Sequence, residues 1–217
     1  MNNPRYHKEV SIPIGNVILK GDLFVPKEAE AIVIFSHGSG SSRVSVRNRM
    51  VATYLQKENF GTLLFDLLTE EEDEEYSNRF DIDLLTQRLA GATFWLEEQA
   101  AAKDCHIGYF GASTGAASAL NAAALLPQIS AVVSRGGRPD LAMEQLPRVK
   151  APTLLIVGGL DHDVLKMNQE AFKQLTCEKK LEVVDGATHL FEEKGKMEIV
   201  SALASGWFAK YLIPVKA

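Results

Sequence analysis

Gly108-Tyr-Phe-Gly-Ala-Ser-Thr-Gly-Ala-Ala117 is the stretch on which the fold turns. Ahead of its middle, His106–Phe110 reads as a strand. Behind it, residues 114–126 are rich in alanine and read as a helix. Between them lies Gly111-Ala112-Ser113-Thr114-Gly115, a G-x-S-x-G pattern in a strand–turn–helix context. Only small residues let a strand and a helix approach so closely. The turn holds Ser113 out of the packed layer, at a helix N-terminus that favours developing negative charge. The pattern alone is weak, because small residues are common at such turns; its flanks give it weight.

The same alternation extends in both directions. Ala31–Phe35 is a continuous apolar run, as suits a strand buried on both faces of a parallel sheet. Residues 45–58 read as a helix, Gly61–Phe65 as a strand, and Asp81–Ala100 as a helix with Leu85, Leu89, Ala92 and Leu96 on one stripe. Downstream, strands are expected at Ala131–Ser134, Thr153–Val157 and Leu181–Val184, and helices at Val164–Leu175 and from about Lys196 to Tyr211. Pro139–Leu146 is at most a short helix, which leaves little room for a cap over the sheet. At the start, Val10–Ile14 and Val17–Phe24 meet at Gly15-Asn16, a hairpin signal. Strands alternating with helices imply right-handed crossovers. The expected fold is therefore α/β: a mostly parallel sheet, helices on both faces and an antiparallel N-terminal hairpin. No linker or repeat divides residues 1–217, so one domain is expected.

Ligands of open α/β sheets bind beyond the carboxyl ends of the strands. A serine there needs a base to become a nucleophile. His189, in Asp185-Gly-Ala-Thr-His-Leu190 after the last strand, is the candidate. The acid that orients it should follow the strand between them, where Gly158-Gly-Leu-Asp-His-Asp163 stands. Asp161 and Asp163 both qualify. Asp161 is preferred as the first acid of the loop; Asp163 reads as an N-cap, and His162 as exposed and incidental. The order Ser…Asp…His matches a known arrangement of such triads. Two backbone amides should face the oxyanion. Thr114 supplies one, and Ser39, with Gly38 second, supplies the other from the loop His37-Gly-Ser-Gly40. His37 is expected to buttress that loop.

The 217 residues carry a net charge of −5, with 46% hydrophobic and 24% charged residues. No basic stripe suggests nucleic acid, and no apolar run is long enough to cross a bilayer. The polar N-terminus lacks a signal-peptide core, so a cytoplasmic location is expected. Cys105 and Cys177 form no Cys-x-x-Cys motif and are expected to be reduced. The histidines and cysteines lack zinc-ligand spacing, and no nucleotide-binding loop is present, so neither metal nor cofactor is expected. The acidic run Glu70–Glu75 reads as a solvated loop. Nothing selects an oligomeric state, although either sheet edge could serve a homodimer.

Taken together, Phe35-Ser-His-Gly-Ser-Gly-Ser-Ser-Arg43, Phe65-Asp-Leu-Leu-Thr-Glu-Glu71, the stretch 108–117, Ser134-Arg-Gly-Gly-Arg-Pro-Asp-Leu141, Gly158-Gly-Leu-Asp161 and Gly186-Ala-Thr-His-Leu-Phe191 resemble the α/β-hydrolase superfamily, and within it the dienelactone hydrolase-like group. The resemblance covers nearly the whole chain from about residue 10. It implies the α/β-hydrolase fold, a hydrolytic triad and an acyl-enzyme. Dienelactone hydrolases proper carry cysteine at the elbow, whereas this chain has Ser113, which favours a carboxylesterase acting on small esters. A thioesterase or small-peptide hydrolase would use the same triad. A non-catalytic binding scaffold is disfavoured because all three members are retained. Arg43 and Arg138, both near strand ends, are candidates for binding an acidic substrate group; the plainer reading pairs the arginines with Asp66, Glu70 or Glu71.

Overall fold

Five strands with almost no exposed residue form the middle of one eight-stranded sheet: β3 (Ala31–Ser36), β4 (Gly61–Phe65), β5 (His106–Ala112), β6 (Ile129–Arg135) and β7 (Thr153–Gly158). They are seen in a computed structural model that describes residues 4–213. The strand order is β1-β2-β4-β3-β5-β6-β7-β8, and every pairing from β4 to β8 is parallel. The apolar runs of the sequence produce this arrangement, because a parallel strand covered on both faces has no polar side to present.

The N-terminal hairpin adds the antiparallel edge. β1 (Tyr6–Ile14) pairs with β2 (Val17–Val25) around Gly15, which has φ +59°, and β2 then pairs antiparallel with β4. β1 begins four residues before the expected Val10, because its outward residues are exposed and its apolar alternation is incomplete there. At the other edge, β8 (Lys179–Val184) is only partly buried.

Helices cover both faces, and each face has its own core. α3 (Ile82–Glu97), α4 (Thr114–Leu125) and α5 (His162–Gln174) pack one side through Leu85, Leu89, Leu120 and Ala171. α1 (Val46–Lys57) and α6 (Lys196–Leu212) pack the other through Val51, Leu55, Val200 and Phe208. Among the described residues no helix is long and apolar enough to cross a membrane.

The acidic run departs from the expected loop. Glu70–Glu74 is a short helix, α2, because Thr69 and Glu72 form a reciprocal capping box: Glu72 N–H donates to Thr69 Oγ1 and Thr69 N–H to Glu72 Oε2. Glu72 also receives Arg88 Nη2 at 2.6 Å, so the run is tied to α3. Between β6 and β7 only short 3-10 turns occur, at Pro139–Ala142 and Leu146–Arg148, and they build no cap. The two cysteines are free and half-buried.

Candidate active site

Ser113 sits between β5 and α4 with φ 52° and ψ −123°. A non-glycine residue there stores about 1–3 kcal/mol of backbone strain. Tight packing on both sides sustains it. A Cβ at Gly115 would come 2.2 Å from Ser36 O, and one at Gly111 would come 2.5 Å from Ala116 Cα. Hydrogen bonds fix the turn from the next strand: Ser113 N–H donates to Arg135 O at 3.3 Å, and Arg138 N–H donates to Ser113 O at 3.0 Å. The segment 135–138 therefore cradles the backbone of the elbow. Asn168, buried on α5, holds that segment in turn by donating from Nδ2 to Gly137 O at 3.0 Å.

The other two expected members of the triad meet directly. His189 Nδ1 lies 2.6 Å from Asp161 Oδ2. Asp161 is the residue ahead of α5, yet its carboxylate makes no capping bond to the helix and is left for the histidine. This corrects the expectation for Asp163, which is an exposed residue of the first turn and not the N-cap. The helix starts at His162, so the loop after β7 is two residues shorter than a cap at Asp163 would require. His162 is exposed as expected. His189 lies within a turn closed by Phe191 N–H donating to Thr188 O at 3.2 Å. The structure brings it to the same sheet end as Ser113: a Cβ at Gly136 would lie 3.5 Å from His189 Cε1. Among the described residues no hydrogen bond joins Ser113 to His189. In unliganded enzymes such contacts often form only with substrate.

The loop after β3 differs from expectation at one atom. Ser39 N–H donates to Thr114 Oγ1 at 2.9 Å, so the amide expected to face an oxyanion already has an acceptor. Gly38 lies against Ser113, since a Cβ there would come 3.0 Å from Ser113 Cβ. Thr114 is the first residue of α4, and its own N–H has no acceptor within the helix. His37 does buttress the loop. Leu67 N–H donates to its Nε2 at 3.0 Å, and its Nδ1 therefore donates to Gly38 O at 2.9 Å. Burial pushes the His37 pKa down, which keeps the ring neutral as this pattern requires.

The arginines sort into two kinds. Arg43 is held by Asp66, with Nη1 to Oδ2 at 2.9 Å and its backbone N–H to Oδ1 at 2.8 Å, and it also reaches Glu9. Arg138 is forked onto Asp140. Arg47 pairs with Glu192 and Arg49 with Asp22. The expectation that these groups are bound to carboxylates holds for Asp66, while Glu70 pairs with Lys20 instead. Arg135 is different. It is buried at 4% exposure and has no carboxylate; its Nη2 donates to Asn48 Oδ1 at 3.3 Å, and its Nε has no partner. Its guanidinium lies 5.9 Å from the centre of the Phe191 ring. Burial, aided by the nearby Arg47, pushes its pKa down to about 10. In the sequence, the signal for Arg135 is a charged residue closing an otherwise apolar strand.

A groove of about 910 Å³ adjoins the loop after β3, lined by Ile18, His37, Arg43, Asp66, Leu68 and Glu71 among others. Ser113, Asp161 and His189 do not line it, so this groove stands beside the elbow rather than over it. Among the described residues no cluster of histidine, cysteine and acidic side chains could hold a metal ion.

The sequence profile of the dienelactone hydrolase family matches residues 19–210. The crystal structure of a dienelactone hydrolase from Anabaena variabilis is 53% identical, covers 97% of this chain and 99% of its own, and superposes with a TM-score of 0.93. A Pyrococcus furiosus esterase, 20% identical over 96% of this chain and 92% of its own, shares the fold with a TM-score of 0.82. Two curated proteins of Mycobacterium tuberculosis strains, provisionally named phosphoribosyl transferases, are 53% identical over 96% of this chain. The chain spans about half the length of these curated relatives, 47%.

Proposed function

The chain belongs to the dienelactone hydrolase family, and we propose that it is a serine hydrolase of small esters, working through an acyl-enzyme on Ser113. The observation that carries this reading is the 2.6 Å contact of His189 with Asp161 at the sheet end that also holds the strained Ser113. In this tautomer Nδ1–H donates to the carboxylate, and Nε2 is left free to take a proton.

In the first half of the cycle the Ser113 Oγ–H proton passes to His189 Nε2 as Oγ bonds to the ester carbonyl carbon. The carbonyl oxygen becomes the oxyanion, which the Thr114 amide at the head of α4 faces. The C–O bond to the alcohol then breaks, and the imidazolium protonates the leaving oxygen. Water repeats the sequence on the acyl-enzyme and releases the acid. Asp161 holds the imidazole in its tautomer and offsets its transient charge. For Ser39 to add a second donor, its N–H must be shared with, or released by, Thr114 Oγ1.

Only short turns stand between β6 and β7, which supports an open site and short acyl chains. The phosphoribosyl transferase name belongs to proteins about twice this length. Nothing in the elbow, the Asp–His pair or the loop after β3 calls for that chemistry, and we assign it no role in this chain.

Hydrolysis of p-nitrophenyl esters tests the proposal. Acetate and butyrate should turn over with a burst of p-nitrophenol, and Ser113→Ala should abolish both burst and turnover. Equal turnover by the Ser113→Ala protein would refute it, and a preference for palmitate would refute the open site.

A further inference from the structure

Resting on the hydrolase reading above, we infer that Arg135 is a positioning residue that couples the nucleophile turn to the histidine turn. The carbonyl oxygen of Arg135, at the end of β6, accepts the N–H of Ser113. Its side chain enters the sheet face covered by α1, where Asn48 Oδ1 accepts from Nη2. There the guanidinium meets the ring of Phe191. Phe191 is no ordinary packing residue. Its backbone has φ 56°, a conformation that bulky side chains avoid, and its N–H closes the turn that contains His189. Its ring is almost wholly buried. One residue thus holds the backbone of Ser113 by its main chain and the turn of His189 by its side chain.

Stability does not account for a charge at this place. A buried guanidinium without a carboxylate is unfavourable, and an apolar residue of similar length would fill the space at less cost. A planar cation on an aromatic face does what an aliphatic chain cannot: it sets the tilt and position of the ring. The left-handed Phe191 persists only if its surroundings over-determine it, and Arg135 supplies one side of that constraint. The alignment of His189 with Ser113 then depends on a contact that neither residue makes itself.

Steady-state kinetics on p-nitrophenyl acetate, together with thermal melting, separate this role from a structural one. Arg135→Met should lower kcat by about 10–100-fold with KM changed by less than about threefold, since small misplacements of catalytic groups act on the chemical step. Its Tm should stay within about 3 °C of wild type or rise. Arg135→Lys keeps the charge but lacks the planar face, and its kcat should fall between the two. Phe191→Leu should lose activity to a similar degree, and the double variant should lose little more than either single one, because both break the same contact. Wild-type kcat in a folded Arg135→Met protein would overturn the inference, as would a loss of activity that merely follows a lowered Tm. Strictly additive losses in the double variant would overturn it too. These outcomes are distinct from failure of the underlying reading: if wild type and Ser113→Ala hydrolyse the ester equally, the hydrolase proposal falls and the coupling with it.

Discussion

Arg88 and Arg135 are the two arginines buried among the described residues, and they are buried in opposite ways. Arg88, on α3, lies 2.6 Å from Glu72 of α2, so its charge is matched and two surface helices are joined. Arg135, at the end of β6, has an amide oxygen and an aromatic face for company and no carboxylate. A matched buried pair costs little so long as both partners remain, but removing one strands the other. An unmatched buried cation is a standing expense, and such departures from the packing rules tend to gather where a site needs them. The contrast teaches that burial of a charge does not by itself reveal its role; what stands opposite it does.

Mutations can break that contrast. The scale is set by the proposed triad, where the largest effects are expected. Ser113→Ala should remove all measurable turnover, and Asp161→Asn should lower kcat by about 10²–10⁴-fold, because the amide no longer holds the tautomer that leaves Nε2 free. Below them comes Arg135→Met, with its loss of rate and retained Tm. Arg88→Met should do the reverse: an unfolding free energy lower by about 1–3 kcal/mol in urea, as Glu72 loses its partner, with kcat per folded molecule within about twofold of wild type. If both methionine variants lost activity and stability in proportion, the distinction between the two arginines would collapse. Smallest of all, Arg49→Ala removes a half-exposed ion pair to Asp22 and should change stability by at most about 1 kcal/mol with no change in rate.

Much of this architecture is legible in the chain, because the signals are local. Apolar runs mark β3 to β7, and glycine and alanine around Ser113 mark a turn that nothing larger could make. Ser113, Asp161 and His189 stand out as candidates because each follows a strand, and the fold brings strand ends together. Local capping is less legible. Asp163 was expected to cap α5, but the helix starts at His162. The run from Glu70 was expected to be a loop, although Thr69-Glu70-Glu71-Glu72 carries the spacing of a capping box. The remaining features were out of reach. The bond from Ser39 to Thr114 spans 75 residues, and the meeting of Arg135 with Phe191 joins the end of β6 to the loop after β8. No periodicity or motif encodes such pairings; they exist only once the layers have packed.

The central claim is that Ser113 is a nucleophile activated through His189 and Asp161. Its most direct test is reaction of the intact protein with a fluorophosphonate, with the modified residue located by mass spectrometry. A single adduct on Ser113, formed much more slowly in the Asp161→Asn protein, is the predicted result. A folded protein that stays unmodified at Ser113, or that reacts at the same rate with Asp161 replaced, would contradict it.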